Sequence, residues 1–375
     1  MIHIADANRY KNATGPDLYA LCEQASAVRD AQWGKQVTYS PKVFLPLTNM
    51  CRDTCGYCTF VQKPDSPTAN YMTPEQVLAV AKQGEAAGCT EALFSLGEKP
   101  EQRHLKAREW LEHLGYASTL DYLQSQCEQV LEHTRLLPHI NAGALTKSEL
   151  ASLKPYAASM GMMLENSSIN LMKPGQAHYG CPDKTPKRRT ATLEAAGELG
   201  IAFTTGLLIG IGESWEDRVE SLVLIRDIHQ TYGHIQEVII QNFRAKPGTA
   251  MAGCAEPDLD EMKRTLAIAR LILPPEISLQ APPNLEQEYG AYLSAGINDW
   301  GGISPVTRDF INPERAWPQI QSLDAACRGR GYQLSERLTI YPEFQSTEQH
   351  FLVPALQQRV HGLNQTNLLS RGLVA

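Results

Sequence analysis

Three cysteines fall within eight residues, at Cys51, Cys55 and Cys58, directly after the apolar run Val43–Leu47 and the turn residues Thr48 and Asn49. Spacings of four and three let a curled loop bring three sulfurs to one inorganic centre, and thiolates are the natural ligands of iron–sulfur clusters. Such a loop needs a rigid base, and the preceding apolar run is long enough to be a strand that delivers it. A structural zinc site takes four protein ligands, usually as two knuckles, whereas the next candidates, Cys89 and His104, stand alone. A disulfide framework fits less well, because these thiols are crowded and the chain holds nine cysteines, an odd number. A cubane of four irons held by three cysteines leaves one iron open to a small molecule.

The rest of the chain alternates apolar runs with amphipathic segments. Residues 16–31 form a helical stripe through Leu18, Leu21, Cys22 and Ala25 ahead of a first strand at 42–47. Strands are expected at 91–96, 136–140, 158–164, 202–209 and 237–241, with weaker ones at 277–280 and 297–300. Helices start at recognisable caps: Thr73 with Gln76, Thr146 with Glu149, Thr185 before Pro186, and Ser214 with Asp217. Eight strand–helix units at this rhythm predict an α/β fold, a parallel TIM-type (β/α)8 barrel with its site at the strand C-termini. A six-unit partial barrel is the alternative. One domain over 1–375 is expected, with a core of about 40–330 and a helix over 345–375 that places Leu352, Leu356, Val360 and Leu363 at core-like spacing.

The net charge of −7 and the lack of a long basic run give no footprint for nucleic acid or an anionic membrane. The N-terminus has no basic segment followed by an apolar core, and no run approaches the length of a membrane span, so a cytoplasmic protein is expected. Most of the other six cysteines, at 22, 89, 127, 181, 254 and 327, read as small core residues, with Cys181 falling in an expected loop, and His139 and His178 read as structural.

With the aromatic residue Tyr57 just before its third cysteine, the C-x3-C-x2-C loop resembles the signature of radical S-adenosylmethionine (SAM) enzymes. That resemblance implies a [4Fe-4S] cluster on Cys51, Cys55 and Cys58. It further implies SAM chelated at the open iron through its methionine amine and carboxylate, and an external electron donor. Leu96-Gly97-Glu98 is similar to the family's GGE motif, which meets the methionine amine; Glu165, after the fourth strand, takes a ribose or methionine contact by the same resemblance. Arg189 stands where related enzymes oppose an arginine to the SAM carboxylate, and Gly210 lies in a stretch, Gly206 to Glu213, similar to one that packs along adenine. Gln241, Asn242, Arg244 and Lys246 follow the sixth strand and suit a polar, multiply hydroxylated substrate.

Longer stretches sharpen the likeness. Thr48–Arg52, Phe94–Glu101, Pro138–Gly143, Met162–Ser168, Cys181–Lys184 and Ala281–Leu285 resemble the deazaflavin (FO) synthase family, in its CofG-type subunit, over about residues 40–310. The resemblance implies conversion of a tyrosine-derived hydroxybenzyl–ribitylaminouracil adduct, supplied by a CofH-type subunit, into 7,8-didemethyl-8-hydroxy-5-deazariboflavin (FO). It also implies release of ammonia, methionine and 5′-deoxyadenosine. Other radical SAM reactions on the same barrel stay open at this point: CofH-type coupling, a futalosine-pathway step or a maturase-like activity. A metal-binding scaffold without turnover is the non-enzymatic alternative.

Overall fold

The computed structural model describes residues 2–346 and 350–370. Eight parallel strands close on themselves: β1 Gln36–Pro46, β2 Glu91–Ser95, β3 Leu137–Asn141, β4 Ser159–Gly161, β5 Phe203–Ile209, β6 Ile235–Asn242, β7 Ser278–Gln280 and β8 Asp299–Ile303. Closure runs through β1, whose Lys42–Pro46 pair with Glu91–Ser95 of β2 while Thr38, Ser40 and Pro41 pair with β8. The full barrel therefore forms, and the partial alternative falls. All seven residues of β5 are buried, as expected of a parallel strand covered by helices outside and by the lumen inside.

Local signals explain most of the helices. Thr73/Gln76, Thr146/Glu149 and Ser214/Asp217 each form the reciprocal capping box expected of them, and so satisfy backbone N–H groups that would otherwise lack partners. Thr185 departs from this: its side chain caps nothing, and the helix Pro186–Glu198 starts on Pro186. The span expected as one helix near 285–295 is two 3-10 stretches, Pro283–Leu285 and Tyr289–Ala295. The strand expected at 297–300 lies two residues later, at Asp299–Ile303, and the regular part of β4 is only Ser159–Gly161.

A ninth strand, β9 Gln333–Glu336, was not anticipated. It pairs in parallel with Gln36–Tyr39, on the stretch of β1 that protrudes below β2. From there the chain turns under the barrel, where Leu338, Ile340, Tyr341, Phe344 and Phe351 pack with Leu137, Ala158 and Ala202 at the N-terminal ends of β3 to β5. The helix Pro354–Ser370 joins them through Val360 and Leu363; Leu356 is buried as well, while Leu352 is only half-buried. Residues 347–349 and 371–375, part of the expected C-terminal segment, lie outside the described residues. The fold thus closes its lower end with its own C-terminal chain and leaves the upper end, at the strand C-termini, to loops.

Candidate active site

Backbone and small residues shape the cysteine loop before any charge acts. Asn49 ties its two ends together: its side-chain N–H donates to Thr68 O (2.8 Å), its Oδ1 accepts from Asn70 N (2.9 Å), and its carbonyl accepts from Gln62 N (2.8 Å). Gly56 is held between two other loops, donating to Ala177 O (2.8 Å) and accepting from Met251 N (3.0 Å). Beside the loop, Gly97 donates to Thr48 O (2.9 Å), and a side chain there would run into the Met50 carbonyl, so only glycine permits this approach. The loop after β2 is therefore pressed against the first cysteine.

The Cys51 sulfur is buried and accepts backbone N–H groups from Glu98 (3.1 Å) and Asp53 (3.4 Å). Cys55 and Cys58 are half-buried. Burial pushes the Cys51 and Cys58 thiols up, and these amides, with those of Phe60 and Val61 at Cys58, oppose it. Cys181, expected in a loop, places its sulfur 3.8 Å from that of Cys55; this contact, against the opposing effect of burial, holds the Cys55 thiol below its usual range, with help from Lys184. Three thiols on a braced loop, one already surrounded by N–H donors, fit a metal centre. Coordination would deprotonate them outright.

Around the loop lies a layer of buried charge. Glu165 sits at φ +63°, a backbone conformation that is costly for a residue with a side chain. It is locked there because its N–H donates to Gly206 O (3.0 Å) and its carbonyl accepts from Leu208 N (3.1 Å). Its carboxylate accepts from Lys184 Nζ (2.8 Å) and lies 3.4 Å from the Tyr57 hydroxyl, which is 3.1 Å from His178 Nε2. Burial alone would raise the Glu165 carboxyl, but the charges of Lys184 and Arg189 and the Lys184 hydrogen bond hold it below the usual range. Burial pushes His178 down to about 3, so its ring is neutral beside Tyr57.

The structure brings Glu98, Glu165, Arg189 and Tyr57 to one end of the barrel with the cysteines, but gives two of them engagements that were not expected. Arg189 is buried, with its guanidinium on the Met163 carbonyl (2.5 and 2.8 Å) and the Asp183 carbonyl (3.2 Å), 3.8 Å from Glu98. Glu98 accepts from Ala144 N, and burial, partly offset by Arg189, pushes its carboxyl up to about 8. Gly210, at φ +87°, is where β5 turns; Glu213 accepts from the N–H groups of Gly210 (2.7 Å) and Ile211 (2.8 Å) and pairs with Arg218 (2.7 Å), which fixes that turn. Two substrate-facing expectations are weakened: Arg244 is engaged by Leu285 O and Glu256, and Lys246 by Ile311 O. His139 bonds Ser159 (2.7 Å), in keeping with a structural role.

Lys184, Asp183 and Asp53 were missed in the sequence. Asp183 pairs with Arg52 and with Arg188 (2.8 Å), and its N–H donates to Asp53 (3.3 Å), which latches the cysteine loop to the segment before the helix Pro186–Glu198. Cys181-Pro-Asp-Lys184 was visible as a family-like string, but nothing local in it says that its lysine meets Glu165. Beneath these groups opens a cavity of ≈ 180 Å³ lined by Tyr57, Cys58, Met163, Glu165, Leu208 and Phe243 among others.

A closed (β/α)8 barrel that carries a three-cysteine loop after its first strand is the architecture of radical SAM proteins, and the Radical SAM superfamily model matches residues 45–225. The fold agrees with that of the FeFe-hydrogenase maturase HydG from Carboxydothermus hydrogenoformans (TM-score 0.72, 18% identity, 96% of this chain and 85% of that one). Within this class the chain belongs to the family of FO synthases. It is 49% identical to the 7,8-didemethyl-8-hydroxy-5-deazariboflavin synthase of Methanopyrus kandleri, over 82% of this chain and 92% of that protein. It is also 49% identical to the FO synthase of Streptomyces coelicolor, where 94% of this chain covers 42% of the relative, so the chain spans less than half the length of that protein. Membership of the superfamily implies a [4Fe-4S] cluster and SAM. Among the described residues no helix is long and apolar enough to cross a membrane.

Proposed function

We propose that this chain carries out the FO-forming half of deazaflavin synthesis, a lyase-type radical SAM reaction on the hydroxybenzyl–ribitylaminouracil adduct made by a CofH-type partner. The observation that supports this best is the braced loop of Cys51, Cys55 and Cys58 above a polar lumen, in a chain 49% identical to a Methanopyrus deazariboflavin synthase across 92% of its length. In this reading the three thiols hold the cluster, and Gly97, Glu98, Glu165, Arg189, Tyr57 and Gly210 shape the SAM site. The chemistry that the bound cluster and SAM supply is one-electron cleavage of the sulfonium, giving the radical that takes hydrogen from the adduct.

The protein's own residues position and insulate. Glu165, kept charged by Lys184, suits an ammonium or ribose hydroxyl at the mouth. Arg189, anchored on two carbonyls, keeps Glu98 and the loop after β2 in place, so its part is positioning even where it reaches no ligand. Tyr57, Leu208 and Phe243 keep water from the mouth cavity. In this reading an external electron donor would supply the electron.

Anaerobic reconstitution with iron and sulfide, followed by SAM, a reductant and the adduct, tests the reading. Production of 5′-deoxyadenosine together with deazaflavin fluorescence, both lost in Cys55→Ala, supports it. Deoxyadenosine without FO removes the substrate assignment. Consumption of free tyrosine would instead mark a CofH-type coupling enzyme, and an intact cluster with neither product would mark a scaffold.

A further inference from the structure

The lumen below the mouth is not filled as barrels of this type are. Their interiors are packed by layers of bulky branched side chains. Here three inward positions are glycines: Gly161 on β4 and Gly301 and Gly302 on β8. A Cβ at 161 would come 2.9 Å from His139 Nε2; at 301 it would run into the Gln280 amide, and at 302 into the Lys42 side chain. Gly301 also lies at φ +71°, where other residues are strained. The missing side chains therefore make room for polar ones. Around them is a cavity of ≈ 170 Å³ that reaches from the floor at Arg337 up to Ser95, Asn141 and Gln241, which it shares with the mouth cavity.

The wall of this cavity carries polar groups without partners. Lys42 is only 8% exposed, and its ammonium lies 4.7 Å over the Trp317 ring; among the described residues it donates no hydrogen bond and forms no ion pair. The side chains of Gln280 (7% exposed) and Gln241 likewise have no hydrogen bond among the described residues. Asn284 Oδ1 and Trp317 Nε1 are buried without partners among the described residues. Buried polar atoms in proteins are nearly always paired, so a cluster of unpaired ones around a single cavity marks a ligand site.

The charges select among ligands. Arg337 is engaged by Asp299 (2.6 and 2.8 Å) and Glu237 (3.0 Å), so among the described residues Lys42 is the one cation of the wall left to oppose Glu91 and Asp309. A phosphate dianion would meet more negative charge than positive. An alkyl chain would leave every amide unpaired. A neutral chain of hydroxyls, each both donor and acceptor, satisfies amides, carboxylates and ammonium together.

We propose that the lumen is a polyol subsite, which receives the unphosphorylated hydroxylated chain of the substrate with Lys42, Gln280 and Gln241 as specificity-determining contacts, while the rings stay at the mouth. This rests on the reading of the site as FO-forming and extends it to which end of the ligand points down and to the exclusion of a phosphate ester.

The test measures binding to the reconstituted, SAM-loaded protein of three fluorescent probes: FO, its 5′-phosphate, and the N10-methyl analogue that lacks the chain. FO should bind at least about ten-fold tighter than either of the others, since a site built to pair hydroxyls rejects ligands without them. Gln280→Leu and Lys42→Met should each weaken FO by about ten-fold and leave the methyl analogue unchanged, with thermal unfolding confirming that each variant is folded. Equal binding of FO and the methyl analogue, phosphate binding as tight as FO, no binding of any probe, or uniform weakening of all three by folded variants would each overturn the subsite. A retained preference for FO without conversion of the adduct would remove the reaction assignment and leave the subsite standing; conversion without the preference would do the reverse.

Discussion

The two ends of this barrel bury comparable charge and handle it in opposite ways. At the floor, Arg337 meets Asp299 and Glu237, Tyr341 donates its hydroxyl to Glu237 (3.0 Å), and Ser159 links His139 to Thr339 (2.9 Å); the network is closed by the protein's own C-terminal chain. At the mouth, Glu165 is held at a costly backbone angle, Lys99 sits at φ +37°, Asp53 Oδ2 has no partner among the described residues, and thiols crowd within reach of one another. At the mouth, strain and unfilled bonding capacity fall on the residues beside the cysteine loop, whereas the charges of the Arg337 network at the floor are paired with one another. Buried charge at one end serves the fold, and at the other it serves whatever completes it.

The largest expected effect belongs to the mouth. Cys58→Ala should abolish reductive SAM cleavage, a loss of about 10³-fold or more because the whole cofactor chemistry goes with the cluster. The same variant, free of cofactor, should unfold at the wild-type temperature. Anaerobic 5′-deoxyadenosine assays with calorimetry check both halves, and a large stability loss would blur the contrast. Arg337→Met makes the complementary test at the floor: it leaves Glu237 and Asp299 buried without their cation and should destabilise by about 3–5 kcal/mol, read from urea midpoints. Unchanged stability would show that the floor is not the structural end.

Lys184→Met lies between these. It removes the cation that keeps Glu165 charged, and SAM cleavage should fall by about 10–100-fold, with a stability loss smaller than that of Arg337→Met. The smallest effect is a pH dependence at Glu98. Its carboxyl moves from a usual value of 4.5 to about 8 in the fold, so its contribution to stability is complete below pH 4.5 and is lost as the pH rises through about 8. Cofactor-free wild type should therefore lose on the order of 2 kcal/mol between about pH 5 and pH 8 that Glu98→Gln does not lose. Parallel unfolding curves for the two proteins across this window would place Glu98 in a more solvated setting.

Much of this was readable from short-range chemistry. The cysteine spacing, the three capping boxes and the alternation of apolar runs with amphipathic helices each depend on residues within a turn or two of one another. So did the presence of Glu98, Glu165 and Arg189 at strand or helix ends, since a parallel barrel sends every strand's C-terminus to one face. Their partners were not readable. Glu165 meets Lys184 only because the loop after β4 folds back over the mouth, and Arg189 is taken up by carbonyls that a helical register alone does not reveal. β9 was hidden because its four residues carry no strong pattern and gain their pairing from a protruding edge of β1.

The sequence by itself determined the chemistry offered: three thiols on one loop, eight strands to carry them, and acidic and basic residues at the strand ends. Only the tertiary structure decided how that chemistry is shared out. Closure through β1 sets Lys42 beside Gly302 and Arg337 beneath Glu237, contacts between residues 260 and 100 positions apart in the chain, and thereby makes one end of the lumen sealed and the other receptive. The reason is physical: spacing along a chain fixes which groups can share a turn, whereas the burial and pairing of a charge depend on which distant segments close over it.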